Sequence, residues 1–195
     1  MYVFIVLQCL CFFVVEALSN PTRPNLELNG LAYQSAVSAG IRIDKSEGKG
    51  FGAFSTIPIV QGEWIGDYEG EMLTAQEVKA RYWNLGKPKK ADRRWKKSRK
   101  RRGQGISGDY LFDLGDDIYV DAEDIDASGW CRFMNHAHET KEECNVEPAS
   151  SRMYSNGEDV ILPRLWFIAK RDIEAGEELL YDYGDDYWEE RSDLV

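Results

Sequence analysis

The sequence predicts an α+β domain, mainly β, in which short strands and turns surround one clear helix. Three observations carry that prediction. Short apolar runs alternate with Gly, Asn and Asp turn signals along most of the chain. A single capping box opens one helical stretch. The composition, 43% hydrophobic with ten Tyr, eight Phe and six Trp in 195 residues, fills one ordinary core. It excludes a wholly disordered or collagen-like chain. A net charge of −10 excludes a uniformly basic nucleic-acid coat, and four cysteines are too few for a disulfide scaffold.

The elements follow in order. Met1 to Val15 is apolar apart from one Gln, too short to span a bilayer but as long as a signal-peptide core. Val15-Glu16-Ala17 offers small residues where a signal peptidase reads, although no Lys or Arg precedes the run. A signal-like segment over 1–17 is expected, with a buried N-terminal strand or a misassigned start codon as the alternative. It implies secretory or organelle entry, and its cleavage would remove Cys9 and Cys11. Residues 18–38, Pro/Asn-rich at Ser19 to Asn29, are expected to be a linker.

Ile41-Arg42-Ile43 reads as a strand running into the glycine-rich turn Glu47 to Gly52. Glu63 to Leu73 is a further strand region after the turn at Gly62. Thr74-Ala75-Gln76-Glu77 is the capping box, and its helix is expected to run to about Leu85, stopped by Gly86 and Pro88. Tyr110 to Leu114 and Ile118 to Asp121 flank Gly115-Asp116-Asp117 as a hairpin. Val160 to Ala169 follows the turn signal Asn156-Gly157, and Pro163 predicts an edge strand there.

One stretch has a different character. Lys87 to Arg102 holds eleven of the 24 basic residues and one of the 34 acids, so the rest of the chain carries −20. Such dense like charge predicts a solvated loop or insertion and no core element. It suits phosphate contact, as with nucleosomal DNA, or nuclear import, the alternative to the secretory reading; it equally suits a disordered insertion without a partner.

Taken singly, the chemical motifs are ambiguous. Gly50-Phe51-Gly52 lacks the third glycine and following helix of a dinucleotide turn. Cys131, His136, His138 and Cys144 number four but match no common zinc spacing. Asn135 and His136 suit buried backbone groups as well as a ligand. Tyr181 and Tyr183, two apart, share a face on a strand and can line either an aromatic channel or an ordinary sheet.

Their order is informative. Gly50-x-Gly52, Glu69-Gly70-Glu71, Tyr110-Leu111-Phe112, Arg132 to His136, Asn145-Val146, Gly176 to Leu179 and Asp182-Tyr183 together resemble the SET-domain family of protein lysine methyltransferases. The resemblance spans about Ala39 to Gly184 and leaves 185–195 as a C-terminal tail. It implies small curved sheets (a β-clip) with a C-terminal pseudoknot that brings the Asn-His and Asp-Tyr segments together. It implies S-adenosyl-L-methionine as cofactor and a target lysine entering from the opposite side. By the same likeness Lys49, Phe51 and Gly52 present backbone to the cofactor, Asn135 and His136 bind it, and Trp188 covers its adenine. Tyr183 is the implied catalytic tyrosine, and Tyr110 and Tyr181 belong to the lysine channel.

The implied reaction is attack of a neutral lysine amine on a sulfonium methyl. A free lysine, with a pKa of about 10.4, is almost wholly charged at neutral pH, so a narrow aromatic channel must disfavour the ammonium and align the amine. That step needs no metal, and no metal ligand is assigned. A hydroxyl at Tyr181 leaves less room for a methylated amine, which predicts mono-methylation of a protein substrate, histone-type or other. Two departures stand out. Ala137-His138 and a tail without cysteine lack the family's post-domain zinc ligands, so another tail must close the channel. Gly129 stands where relatives often have Asn. The rival reading is a catalytically silent module that binds a basic tail through its acidic surface.

Overall fold

The computed structural model describes residues 30–137, 144–152, 154–155, 160–161 and 163–189. The signal-like segment 1–17, the start of the linker, His138 and the Asn156-Gly157 turn lie outside these residues.

Helix α1 (Gly30–Ser38) occupies the end of the expected linker, with Ala36 buried in the core. Strands β1 (Ile41–Ser46) and β2 (Gly50–Ser55) pair antiparallel around a turn at 47–49, so Gly50-Phe51-Gly52 lies in a strand and not in the turn. The expected strand region 63–73 divides in two. β3 (Trp64–Asp67) joins one sheet and β4 (Glu71–Thr74) another, because the backbone at Gly70 passes so close to Asp121 that a Cβ would lie 2.4 Å from its carbonyl oxygen. The capping box forms as predicted: Glu77 N donates to Thr74 Oγ1 and Thr74 N to Glu77 Oε2. Its helix α2 (Ala75–Arg81) ends four residues before Leu85.

The basic run corrects its prediction. It folds into helix α3 (Lys90–Arg101), with Asp92 and Arg99 buried. Its one acid explains the start: Asp92 accepts from Lys89 N at 2.7 Å and from the buried Arg81 Nε at 3.1 Å. Arg81 also forms a two-pronged pair with Glu71. Farther along, Arg99 pairs with Glu123 and Asp124, and Arg102 with Asp124 and Asp126. Like charge does not forbid a helix when distant carboxylates neutralise one of its faces.

Strands β5 (Leu111–Asp113) and β6 (Ile118–Asp121) form the expected hairpin, with positive φ at Gly115, Asp116 and Asp117, and β6 also pairs with β4. Two short 3-10 turns, Ile125–Ala127 and Trp130–Phe133, lead to β7 (Asn135–His136). Next come β8 (Val146–Ser151), β9 (Tyr154–Ser155), β10 (Val160–Ile161), β11 (Arg164–Ala169), β12 (Leu180–Tyr181) and α4 (Asp185–Glu189). The edge position expected from Pro163 is corrected: β11 lies at the centre of the sheet β3-β11-β8. Pro163 precedes the strand and withholds no ladder donor, whereas Pro148 lies in β8, an edge strand. Phe167, Ala53, Met134, Val146 and Leu179 are almost wholly buried where these small sheets meet. Among the described residues no helix is long and apolar enough to cross a membrane.

Candidate active site

The site is built where β12 pairs in parallel with β7, Leu180 opposite Asn135 and Tyr181 opposite His136. Two-residue strands supply few ladder bonds, so side chains complete the junction. Asn145, 2% exposed, donates from Nδ2 to Glu178 O at 2.8 Å and accepts from Leu180 N at 2.8 Å. On the other side Leu179 N donates to Ala53 O and Ser55 N to Glu177 O, which closes the segment 177–180 against β2.

Glu178 joins three parts of the chain. It accepts from Asn135 Nδ2 at 2.7 Å and from Ser46 Oγ at 2.9 Å, while Asn135 also donates to Phe51 O. A Cβ on Gly52 would lie 2.2 Å from Glu178 Oε1, so the second glycine of the G-x-G makes room for this carboxylate.

A cavity of about 640 Å³ opens over the junction, lined by Lys49, Gly50, Phe51, Asn135, His136, Tyr183, Tyr187 and Trp188 among others. Lys49 Nζ donates to His136 O at 2.8 Å. His136 Nδ1 accepts from Tyr183 N at 3.2 Å, which puts the ring proton of the neutral form on Nε2. The Trp188 ring meets His136 edge-on at 4.9 Å.

Deeper in, Tyr181 packs 4.7 Å from Tyr183 and 4.9 Å from Phe167, and stacks more loosely on Phe112. Tyr68 OH donates to Tyr110 O, and the Arg132 guanidinium lies 4.0 Å over the Tyr110 ring while its Nε donates to Ala122 O. Tyr183 OH donates to Met134 O at 2.9 Å. Burial pushes the phenols of Tyr68, Tyr181 and Tyr183 above their ordinary range, the last also through Tyr187, so all three are neutral hydroxyls at physiological pH. Among the described residues the Tyr181 hydroxyl has no hydrogen-bond partner.

The SET domain model matches residues 50–184 of the chain. This chain belongs to the SET-domain family. Among its relatives are histone-lysine N-methyltransferase ash1 of Drosophila melanogaster, 30% identical over 80% of this chain and 6% of that protein, and SUV39H2 of Xenopus tropicalis, 31% identical over 70% and 28%. SUVR3 of Arabidopsis thaliana is 29% identical over 91% of this chain and 48% of its own. The chain thus spans less than half the length of each of these relatives. Among solved structures it is similar to the Chaetomium thermophilum polycomb repressive complex 2, with TM-score 0.52 and 31% identity over 75% of this chain and 15% of that one. These are proteins named for histones and a polycomb complex, not secreted ones. The secretory or organelle destination expected from Met1 to Ala17 is corrected on that ground.

In this SET domain the structure gathers Lys49, Phe51, Tyr110, Asn135, His136, Tyr181, Tyr183 and Trp188 around one cavity. Gly52 is not in its lining; it faces Glu178 instead. The residues fit S-adenosylmethionine. The cavity falls within the range of about 300–1,000 Å³ usual for ligands of that size. Trp188 and Phe51 offer aromatic surface to an adenine, and a Cβ at Gly50 would meet nothing within 4 Å, leaving that backbone open to approach. Helix α4 brings Tyr187 to 4.7 Å from Tyr183, which gives the cavity an aromatic cover without cysteines. At Gly129 a Cβ would lie 2.5 Å from Glu69 Oε2, so here the smaller residue accommodates that side chain. Cys131 and Cys144 are buried and form no disulfide with each other, and among the described residues no group of three His, Cys, Asp or Glu is placed to hold a metal.

Sequence reasoning missed Tyr68, Arg132 and Tyr187 in the cavity wall and Glu178 and Asn145 beneath it. Glu178 and Asn145 stood within the ordered motifs without a role. Tyr68 and Tyr187 carried no signal beyond being aromatic near a motif.

Proposed function

We propose that this SET domain is a protein-lysine N-methyltransferase that uses S-adenosylmethionine. The observation that carries the reading is the parallel pairing of β7 with β12, which sets Tyr181 and Tyr183 side by side at the base of an aromatic-lined cavity. When bound, the cofactor supplies an electrophilic sulfonium methyl. Lys49, Phe51, Asn135, His136 and Trp188 would hold it, with Gly52 acting one step removed by admitting Glu178 against Asn135.

The remaining work belongs to the channel. Tyr68, Tyr110, Phe112 and Tyr181 exclude water, which disfavours the ammonium form of an entering lysine and leaves the amine lone pair free. The bound cofactor would supply both the methyl and the sulfur leaving group that keeps the C–S electron pair, and the lysine would give up one amine proton to solvent. Tyr183 is no base in this scheme. Its proton is committed to Met134 O, so its oxygen presents lone pairs to the reacting centre as a fixed dipole. The substrate is proposed to be a protein lysine, of histone type, in keeping with the names of the relatives.

Tyr183→Phe is expected to lower methyl transfer to a histone panel by at least about 100-fold, with calorimetric S-adenosylmethionine binding retained. Wild-type turnover in that variant, or no cofactor binding by the wild type, rejects the proposal; the second result would favour a silent binding module.

The product is proposed to be mono-methyl-lysine. The unpartnered Tyr181 hydroxyl can bind the amine or a water, and Phe would free about one water's volume, roughly 30 Å³. Tyr181→Phe should move the product towards di- and trimethyl-lysine by mass spectrometry at long reaction times. Abundant trimethyl-lysine from the wild type would remove Tyr181 from product control.

A further inference from the structure

Helix α3 has two faces with different uses. Asp92, Trp95 and Arg99 point inward: Trp95 meets Tyr82 edge-on at 5.7 Å and lies beneath the guanidinium groups of Arg81 and Arg99. Lys90, Arg93, Arg94, Lys97, Lys100 and Arg101 are all exposed. At about 100° per residue these six fall within an arc of roughly 120°, and they extend over about 16 Å of helix. Among the described residues no carboxylate pairs with any of them; the acids near the helix are already engaged by Arg81, Lys89, Arg99 and Arg102. Six unneutralised cations on one short face, in a chain whose residues outside Lys87 to Arg102 sum to −20, form a strong and isolated positive field.

We propose that this outer face of α3 is a phosphate-binding surface that docks the domain on duplex DNA. The inference goes beyond the catalytic reading and does not depend on it. The chemistry of the face selects the partner. Arg and Lys at helical spacing match a backbone that carries one charge per about 1.7 Å of duplex axis. Single-stranded nucleic acid would call for aromatic platforms, and the helix's one aromatic, Trp95, is turned inward. A protein partner would call for an aromatic or aliphatic anchor at the centre of the patch, and this face has none. The acidic remainder of the domain repels the duplex, so α3 also sets the orientation of approach. Through Arg99 and Arg102 the helix grips Glu123, Asp124 and Asp126, the loop that carries Ile125 into the cavity wall. A duplex bound to α3 therefore lies one loop away from the proposed methyl-transfer cavity.

The test is fluorescence anisotropy of the full chain with a labelled 20-base-pair duplex across about 50–200 mM salt. The wild type should bind with a log K versus log salt slope near −4, as about four to five phosphate contacts require. A variant with Arg93→Gln, Arg94→Gln, Lys97→Gln, Lys100→Gln and Arg101→Gln should bind at least about 100-fold more weakly at the lowest salt, with a slope near zero. Its melting temperature and S-adenosylmethionine affinity should equal the wild type's, because none of the five is paired inward. Equal DNA binding by the variant, or no binding by the wild type at the lowest salt, overturns the proposal. Tighter binding of a single strand, or of poly-glutamate, overturns it in favour of that partner. DNA binding by a chain that binds no cofactor would sustain this surface while rejecting the catalytic reading.

Discussion

Around Leu180 distant segments are joined by backbone and amide hydrogen bonds, with Asn145 on one side and β2 on the other. Around Arg81 and Arg99 the insertion is joined to the sheet by guanidinium–carboxylate pairs, several nearly without solvent exposure. The first junction sets the relative positions of Asn135, His136, Tyr181 and Tyr183, and short directional bonds fix those positions closely. The second attaches a helix that offers little apolar surface of its own. Paired charges can hold such an element in place, but each buried charge is then costly if its partner is lost. The knot is thus built for geometry and the insertion for attachment.

The sharpest way to break this contrast is Arg81→Met. It takes the positive partner from Asp92 and Asp121, 1% and 4% exposed, and should cost about 3–5 kcal/mol in urea unfolding. Hydrogen exchange should show α3 opening first while protection around Leu179 persists. Uniform loss of protection would show that the two junctions are one cooperative unit.

Asn145→Ala addresses the other side. It leaves Glu178 O and Leu180 N without their partner and should cost about 1–3 kcal/mol. S-adenosylmethionine affinity should fall with it, because Glu178 and Asn135 move together. Unchanged affinity would mean that the knot tolerates slack beneath the cavity.

The smallest effect lies at the entry to the insertion. Thr74→Ala removes the cap of α2 and should cost about 1 kcal/mol by thermal denaturation. The Thr74 backbone N–H, then the Lys89 ammonium, hold the Glu77 carboxyl down at about 2, against an ordinary value near 4.5. A depressed acid stabilises the fold above its unfolded pKa, and that contribution fades as pH falls from about 5 towards 2. In Glu77→Gln the acid-induced loss over that window should be smaller than in the wild type. An identical pH profile would remove Glu77 from the balance.

Legibility in the sequence followed the range of the interaction. The Thr74–Glu77 cap and the Gly115-Asp116-Asp117 hairpin are made by residues within a few positions of one another, and both formed as read. The residues that line the cavity stood out in the sequence through motif order rather than through any local pattern. Pro163 misled because a proline's rule concerns its own missing donor, and it lies one residue before the central strand. The basic run misled because its own charges argue for solvent, while the partners that fold it lie outside it, at Arg81, Glu123, Asp124 and Asp126.

By itself, then, the sequence determined the turns, the cap, the aromatic supply of the core and the set of side chains available to the site. Only the tertiary structure decided which of them meet. Glu178 binds Ser46 across 132 residues and Asn135 across 43, and it occupies the space that a side chain at Gly52 would need. No periodicity encodes such a contact, because its partners become neighbours only when β12 settles beside β7. The inward face of α3 was decided the same way: Arg99 looks like the exposed arginines until the buried carboxylate of Glu123 is set against it.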